Sequence, residues 1–225
     1  MSDASPHAYS ILTLPEIRFL DAAVSRLIPD DDMGPGAKEA DVTYYIDRQL
    51  ASVWGTHGRN YRQRPWLEGT PQQGFQSRLT PQEIYHAGIR ETNAYCTQQY
   101  GKHFEFLKVE QQEEVLKALK ADKVELPSVS SKLFFDLLWR NTEEGFFADP
   151  MYGGNKDKIG WKLVGFPGVA GGDYNAHIDK TEPYRVTEPV SILDIQQGKA
   201  KLDAQGYVKY TQRPSSQTSN SAKGK

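Results

Sequence analysis

From Ser130 to Phe147 the chain leaves little polar surface, with Leu133, Phe134, Phe135, Leu137, Leu138, Trp139, Phe146 and Phe147 crowded into one helical stretch. A helix apolar on most of its sides persists in water only when something covers it, so this segment belongs at the centre of a core or beneath another molecule. Everything else in the fold has to be arranged around it.

Four further helices announce themselves. Thr13-Leu14-Pro15-Glu16 has the capping-box form with proline at the first helical position, and Ile17, Leu20, Val24, Leu27 and Ile28 then recur every three or four residues. Pro29, Asp30-Asp31-Asp32 and Gly34-Pro35-Gly36 end that helix. Val42, Tyr45, Ile46, Leu50, Val53 and Trp54 predict a second helix from about Ala37 to Trp54, stopped by Gly55 and Gly58. Thr80-Pro81-Gln82-Glu83 opens a third that runs to Tyr100. The fourth, near Val109 to Lys120, carries Glu110, Glu113, Glu114 and Lys117 at the spacing of a solvated face with i,i+4 pairs. Between Gly58 and Leu79 the chain is rich in Gly, Pro, Gln and Arg and has no period; so long a connection inside a compact domain is usually functional or wrapped on a neighbour.

These segments predict an all-α fold, a compact bundle of about five helices with one long loop. A Gly/aromatic-rich C-terminal arm starts at about residue 148, and Val186 to Leu202 holds at most a short strand or extended run. Residues 1–210 read as a single domain, in keeping with a length of 225 residues, and the polar end TQRPSSQTSNSAKGK as a disordered tail over 211–225.

Charge and composition narrow the function classes. A net charge of −2 and a pI near 6.2 argue against a dedicated nucleic-acid binder, which needs a basic face. Mean hydropathy is −0.65, and no apolar run approaches the ~20 residues needed to span a bilayer. The opening MSDASPHAYS lacks the basic start and apolar centre of a secretory signal; either the chain is cytosolic or an export signal has been removed. The one cysteine, Cys96, excludes an internal disulfide framework, a Cys-rich metal site and a CxxCH haem attachment. With Tyr85, Ile89, Thr92 and Tyr100 it falls at near-helical spacing, which reads as a buried thiol.

Catalytic patterns are missing. The five histidines, His7, His57, His86, His103 and His177, include no i,i+4 pair and no HExxH. Glu83 and His86 form an ExxH, the helical half of a carboxylate-bridged di-iron site, without a second such pair or the additional glutamates. Asp30-Asp31-Asp32 lacks the bidentate glutamate of a calcium loop and reads as a solvated helix end. There is no GxSxG, Walker loop or GxGxxG. The residues point to no catalytic, cofactor-binding or metal-binding set.

What remains is EGFFADPMYGGNKDKIGWKLVGFPG, Glu144 to Gly168, with six glycines and five aromatics in 25 residues. Two readings stay open. The segment folds back over the core, with Phe146, Phe147, Trp161 and Phe166 as plugs, or its glycines let the backbone lie against another molecule while its aromatics anchor the contact. On the second reading Trp66, Phe75, Phe147, Tyr152, Trp161 and Phe166 are the candidate partner-interface residues.

This stretch resembles the signature of the small (gamma) subunit of gluconate 2-dehydrogenase. The likeness continues upstream through LTLPEIRFLDAAVSRLIPDDDMGPGAKEADVTYYIDRQLA, Leu12 to Ala51. The resemblance implies an accessory chain that supports maturation, export and stability of a large flavoprotein dehydrogenase subunit. Its complex turns gluconate into 2-keto-gluconate and passes electrons through a multihaem cytochrome c subunit to quinone. FAD and c-type haem then belong to the partners, with none in this chain. The location implied is periplasmic and membrane-associated through the complex, reached by a twin-arginine leader, although no Arg-Arg pair precedes Ser2 here. In an oxidising periplasm Cys96 becomes a candidate for an intersubunit disulfide. Two alternatives are a free-standing helical metalloenzyme using Glu83 and His86, and a transient export chaperone.

Overall fold

A computed structural model describes residues 8–59, 69–73, 77–169, 188–204 and 206–209, with isolated positions between 174 and 186. Trp66, Phe75, His7, His177 and the 211–225 tail lie outside the described residues. Within them the chain is helical, without strands: α1 (Leu14–Leu27), α2 (Val42–Leu50), α3 (Val53–Thr56), α4 (Pro81–Tyr100), α5 (Val109–Lys120), α6 (Ser131–Phe147), α7 (Ile159–Val164) and α8 (Ile192–Gln196). This agrees with the all-α expectation.

The apolar helix is central. α6 packs against α1, α2, α4, α5 and α7, and its Phe134, Leu138 and Phe146 are fully buried. Each such side chain contributes about 1.5–3 kcal/mol through water exclusion. α4 approaches closely because residue 88 is glycine; a Cβ there would meet the Phe134 ring at 2.4 Å. Phe19 of α1 lies 4.7 Å from Phe104 and 6.3 Å from Phe134, joining the aromatic layers.

The helix starts follow local chemistry. At α4 the capping box is complete: Glu83 N–H donates to Thr80 Oγ1 at 3.1 Å and Thr80 N–H to Glu83 Oε2 at 2.7 Å. At α1, Glu16 reaches back to accept from Thr13 N–H at 2.8 Å, and the helix begins at Leu14, one residue before the proline that was expected to open it. On α5 the anticipated i,i+4 pair is Lys117 with Glu113, at 3.1 Å.

The second expected helix is broken at both ends. Residues 37–41 form turns that close on Asp41 at a left-handed φ of 56°, so α2 starts only at Val42. It stops at Leu50, where Ser52 caps the separate helix α3 by accepting from Trp54 N–H at 3.1 Å. The reversal is tight enough that a Cβ on Gly55 would lie 1.9 Å from the Leu50 carbonyl oxygen. Gly55 therefore lies inside the second piece and allows its return onto α2. Periodicity alone does not register a fold-back of this kind.

A buried carboxylate anchors the N-terminal approach. Asp47 is completely enclosed and accepts the backbone N–H groups of Ser10, Ile11 and Leu12 at 2.7, 2.9 and 2.8 Å. The segment entering α1 is thereby held on α2, across more than thirty residues of sequence.

Candidate functional site

The Gly/aromatic arm leaves the end of α6 and returns over it. Asn155, buried and left-handed at φ 49°, is its hinge pin: its Nδ2 donates to Ala148 O at 2.8 Å and its Oδ1 accepts from Gly160 N–H at 2.8 Å. Lys156 N–H donates to Ala40 O at 3.2 Å, tying the same turn to the approach of α2.

The glycines serve this return. A Cβ on Gly154 would lie 2.3 Å from the Gly145 carbonyl oxygen, one on Gly160 2.1 Å from that of Phe146, and one on Gly168 2.0 Å from that of Val190. These are backbone-on-backbone contacts inside one chain. Gly154 and Gly160 bring the arm close to α6 and Gly168 brings it close to Val190, as the fold-back reading of this stretch has it, whereas Gly165 has nothing within 4 Å.

Trp161 organises the result. Its ring is 6% exposed, its Nε1 donates to Phe147 O at 2.7 Å, and Phe166 packs edge-on against it at 5.1 Å. This interface candidate is therefore enclosed by its own chain and offers little surface to another. Phe147, Tyr152 and Phe166 differ: they are 41%, 49% and 46% exposed. Leu163 and Val164 of α7 are exposed beside them in sequence.

A short second layer clamps the arm. Gly168 and Val190 form a parallel bridge, with Val169 N–H donating to Val190 O at 2.9 Å. In place of the extended run expected over Val186 to Leu202, Ser191 caps the five-residue α8. Lys158 Nζ meets Asp194 Oδ2 at 3.0 Å and Glu188 Oε1 at 3.2 Å, and Ile192 N–H donates to Asp149 Oδ2 at 2.8 Å. Burial alone acts to lower the Lys158 pKa and raise that of Asp194, but hydrogen bonds to Asp194 and Glu188 leave the lysine raised, and those from Ser191 and Lys158 leave the aspartate lowered.

The residues considered for chemistry have internal duties. Glu83 completes the α4 cap, and His86 Nδ1 lies 2.5 Å from Glu16 Oε1. Burial raises the Glu16 pKa, and hydrogen bonds from His86 and Thr13 more than offset this, leaving it lowered. No group of three or more His, Cys, Asp or Glu side chains able to hold a metal occurs among the described residues. Asp31 and Gly34 bond reciprocally through their backbones, and Asp31 Oδ1 accepts from Met33 N–H at 2.8 Å, so the acidic triplet forms a turn. Cys96 has no exposed surface; burial, with the nearby Glu105 charge, pushes its thiol up to about 12. An intersubunit disulfide through this residue would require the enclosed sulfur to reach the surface first.

Two features escaped the sequence reading. Asp47 could have been found as the single charge on the apolar face of α2. The chain that runs from the buried Tyr85 Oη to Asn141 Oδ1 at 2.8 Å, and from Asn141 Nδ2 to the exposed Glu144 Oε2 at 3.0 Å, left no local signal.

The fold and site thus define a class: a helical chain whose C-terminal arm is built by close glycine contacts onto its own central helix and displays aromatic side chains outward. The chain belongs to the gluconate 2-dehydrogenase subunit 3 family, whose model matches residues 15–168. The match runs from the first turn of α1 to the glycine that closes the arm on Val190. No curated protein and no solved structure matches the chain significantly. No helix among the described residues is long and apolar enough to cross a membrane.

Proposed function

We propose that this chain is the non-catalytic accessory subunit of a membrane-associated, flavin-dependent gluconate 2-dehydrogenase complex. In that complex a large flavoprotein subunit oxidises gluconate to 2-keto-gluconate with FAD, and a multihaem cytochrome c subunit carries electrons towards quinone. This chain stabilises the flavoprotein and supports its maturation and export to the periplasm. It remains in the finished assembly. Family membership supports the complex, and the exposed Phe147, Tyr152 and Phe166 on a braced arm support the docking role. Aromatic side chains on a rigid support are favourable interface anchors, because little conformational entropy is lost when they are covered. The haem assignment to a partner accords with a chain whose single cysteine cannot form a CxxCH pair.

The test is gluconate-dependent dye reduction by the chain alone, by the flavoprotein subunit alone and by the co-expressed pair. Activity should require the flavoprotein, and its yield in the periplasm should fall when this chain is omitted. Gluconate oxidation by this chain in isolation overturns the reading. Its absence from the purified mature complex converts the subunit into a transient chaperone.

A further inference from the structure

Residues 188–196 are joined to the arm by polar contacts. Val190, Leu193 and Ile195 are half-buried, and none of the three packs against the hydrophobic core. Val190 accepts from Val169 N–H at 2.9 Å and donates its own N–H to Pro167 O at 3.1 Å, while Ile192 N–H donates to Asp149. An ionic cluster completes the attachment. Lys158 Nζ holds Asp194 and Glu188, and Lys162 Nζ reaches the same Glu188 Oε1 at 3.0 Å.

The lysine at the centre of this cluster sits in strained backbone. Asn155, Asp157 and Lys158 have φ of 49°, 54° and 58°. Asparagine and aspartate visit the left-handed region readily, but lysine has no short polar side chain to bond its own backbone there. Residues held in such conformations persist only where surrounding contacts fix them, and they concentrate at clamps and switch segments. Both ion-pair partners of the Lys158 side chain lie on residues 188–196. The same segment approaches Trp161: a Cβ on Gly168 would meet Val190 O at 2.0 Å and Trp161 Cζ3 at 3.0 Å, so segment and indole converge on one glycine.

We propose that residues 188–196 form a releasable strap, which lifts off the arm as a unit while the bundle around α6 stays folded, and whose release uncovers Trp161 beside Phe166. Local opening of this kind occurs where few buried apolar contacts have to be broken. Loss of the Lys158 pairs also lets the 155–158 turn relax, so backbone strain opposes the ionic clasp and narrows the free-energy gap between strapped and released forms. The strap thus sets how much aromatic surface the arm presents. This inference concerns the chain alone and stands apart from the accessory-subunit reading.

The experiment is native-state hydrogen exchange on the full-length chain over increasing urea, followed at the amides of Val169, Val190 and Ile192 and at buried amides of α6. In the unaltered chain the strap amides should exchange at least about tenfold faster than those of α6, with little dependence on urea. Lys158→Met removes both ion pairs and keeps the backbone strain, so strap exchange should quicken about tenfold further with α6 protection unchanged. Glu188→Gln leaves the Lys158 backbone untouched and should give a smaller change in the same direction. Acrylamide quenching of Lys158→Met, compared with the same variant carrying Trp161→Phe, isolates the indole, which should become accessible. Strap and α6 amides that exchange together, in the unaltered chain or in Lys158→Met, make the segment part of one cooperative unit and overturn the proposal. Strap exchange unmoved by both substitutions overturns it as well. Faster strap exchange with Trp161 still shielded removes the strap as the cover of the indole and overturns its effect on the arm's aromatic surface.

Discussion

The side-chain oxygen of Asn155 accepts the backbone N–H of Gly160 at 2.8 Å, and this single bond sets the path by which the arm returns over α6. The amide nitrogen of the same side chain holds Ala148 O, so Asn155 spans the exit of one helix and the entry of the next. Asn155→Ala strands both backbone groups and places a Cβ residue without local bonding at φ 49°. The cost should be about 2–4 kcal/mol in urea unfolding. Limited proteolysis should then cut first between residues 148 and 168; unchanged stability would remove Asn155 as the pin.

Glycine substitutions should separate by contact and not by composition. Gly160→Ala drives a Cβ to 2.1 Å from Phe146 O and should lift Trp161 from its site, seen as a red shift of its fluorescence. Gly165→Ala meets nothing within 4 Å and bears only the left-handed backbone at φ 72°, at about 1 kcal/mol. Equal effects at the two positions would contradict the packing described.

Asp47→Ala should cost about 3–5 kcal/mol, since three backbone donors lose a buried charged acceptor together. Hydrogen exchange at Ser10, Ile11 and Leu12 is the direct readout. Those amides should lose protection while the interior of α6 keeps its own.

Glu16 gives the acid limb a definite sign. Its folded pKa lies below the ordinary 4.5, so the folded state binds this proton less readily than the unfolded chain does. Its stabilisation is therefore present above about pH 4.5 and is lost as the pH falls through the lowered folded value. Glu16→Gln should flatten stability against pH in that window, as measured by chemical denaturation from pH 3 to 6. An unchanged slope would remove the His86 pairing as its cause.

Cys96 should resist thiol reagents in the native protein at pH 8 and react stoichiometrically in urea, because its thiol is enclosed and held up to about 12. Non-reducing gels of the native complex should show no species linked through it.

The amino-acid sequence by itself determined the local features. α4, α5 and α6 lie where their capping residues and apolar periods put them, since a helix start and an amphipathic face depend on neighbours within a few positions. The central place of α6 was legible for the same reason: a helix apolar on nearly every side has no stable position at the edge of a bundle. Tertiary structure decided what period and composition leave open. It split the second helix at the return of Gly55 onto Leu50, buried Asp47 beneath a segment more than thirty residues away, and turned Gly154 and Gly160 of the arm inward onto Gly145 and Phe146. It also divided the arm's aromatics, enclosing Trp161 and leaving Phe147, Tyr152 and Phe166 exposed. Close approach and enclosure are relations between distant parts of the chain, so a glycine marks only that some surface comes near, and the fold alone determines which surface that is.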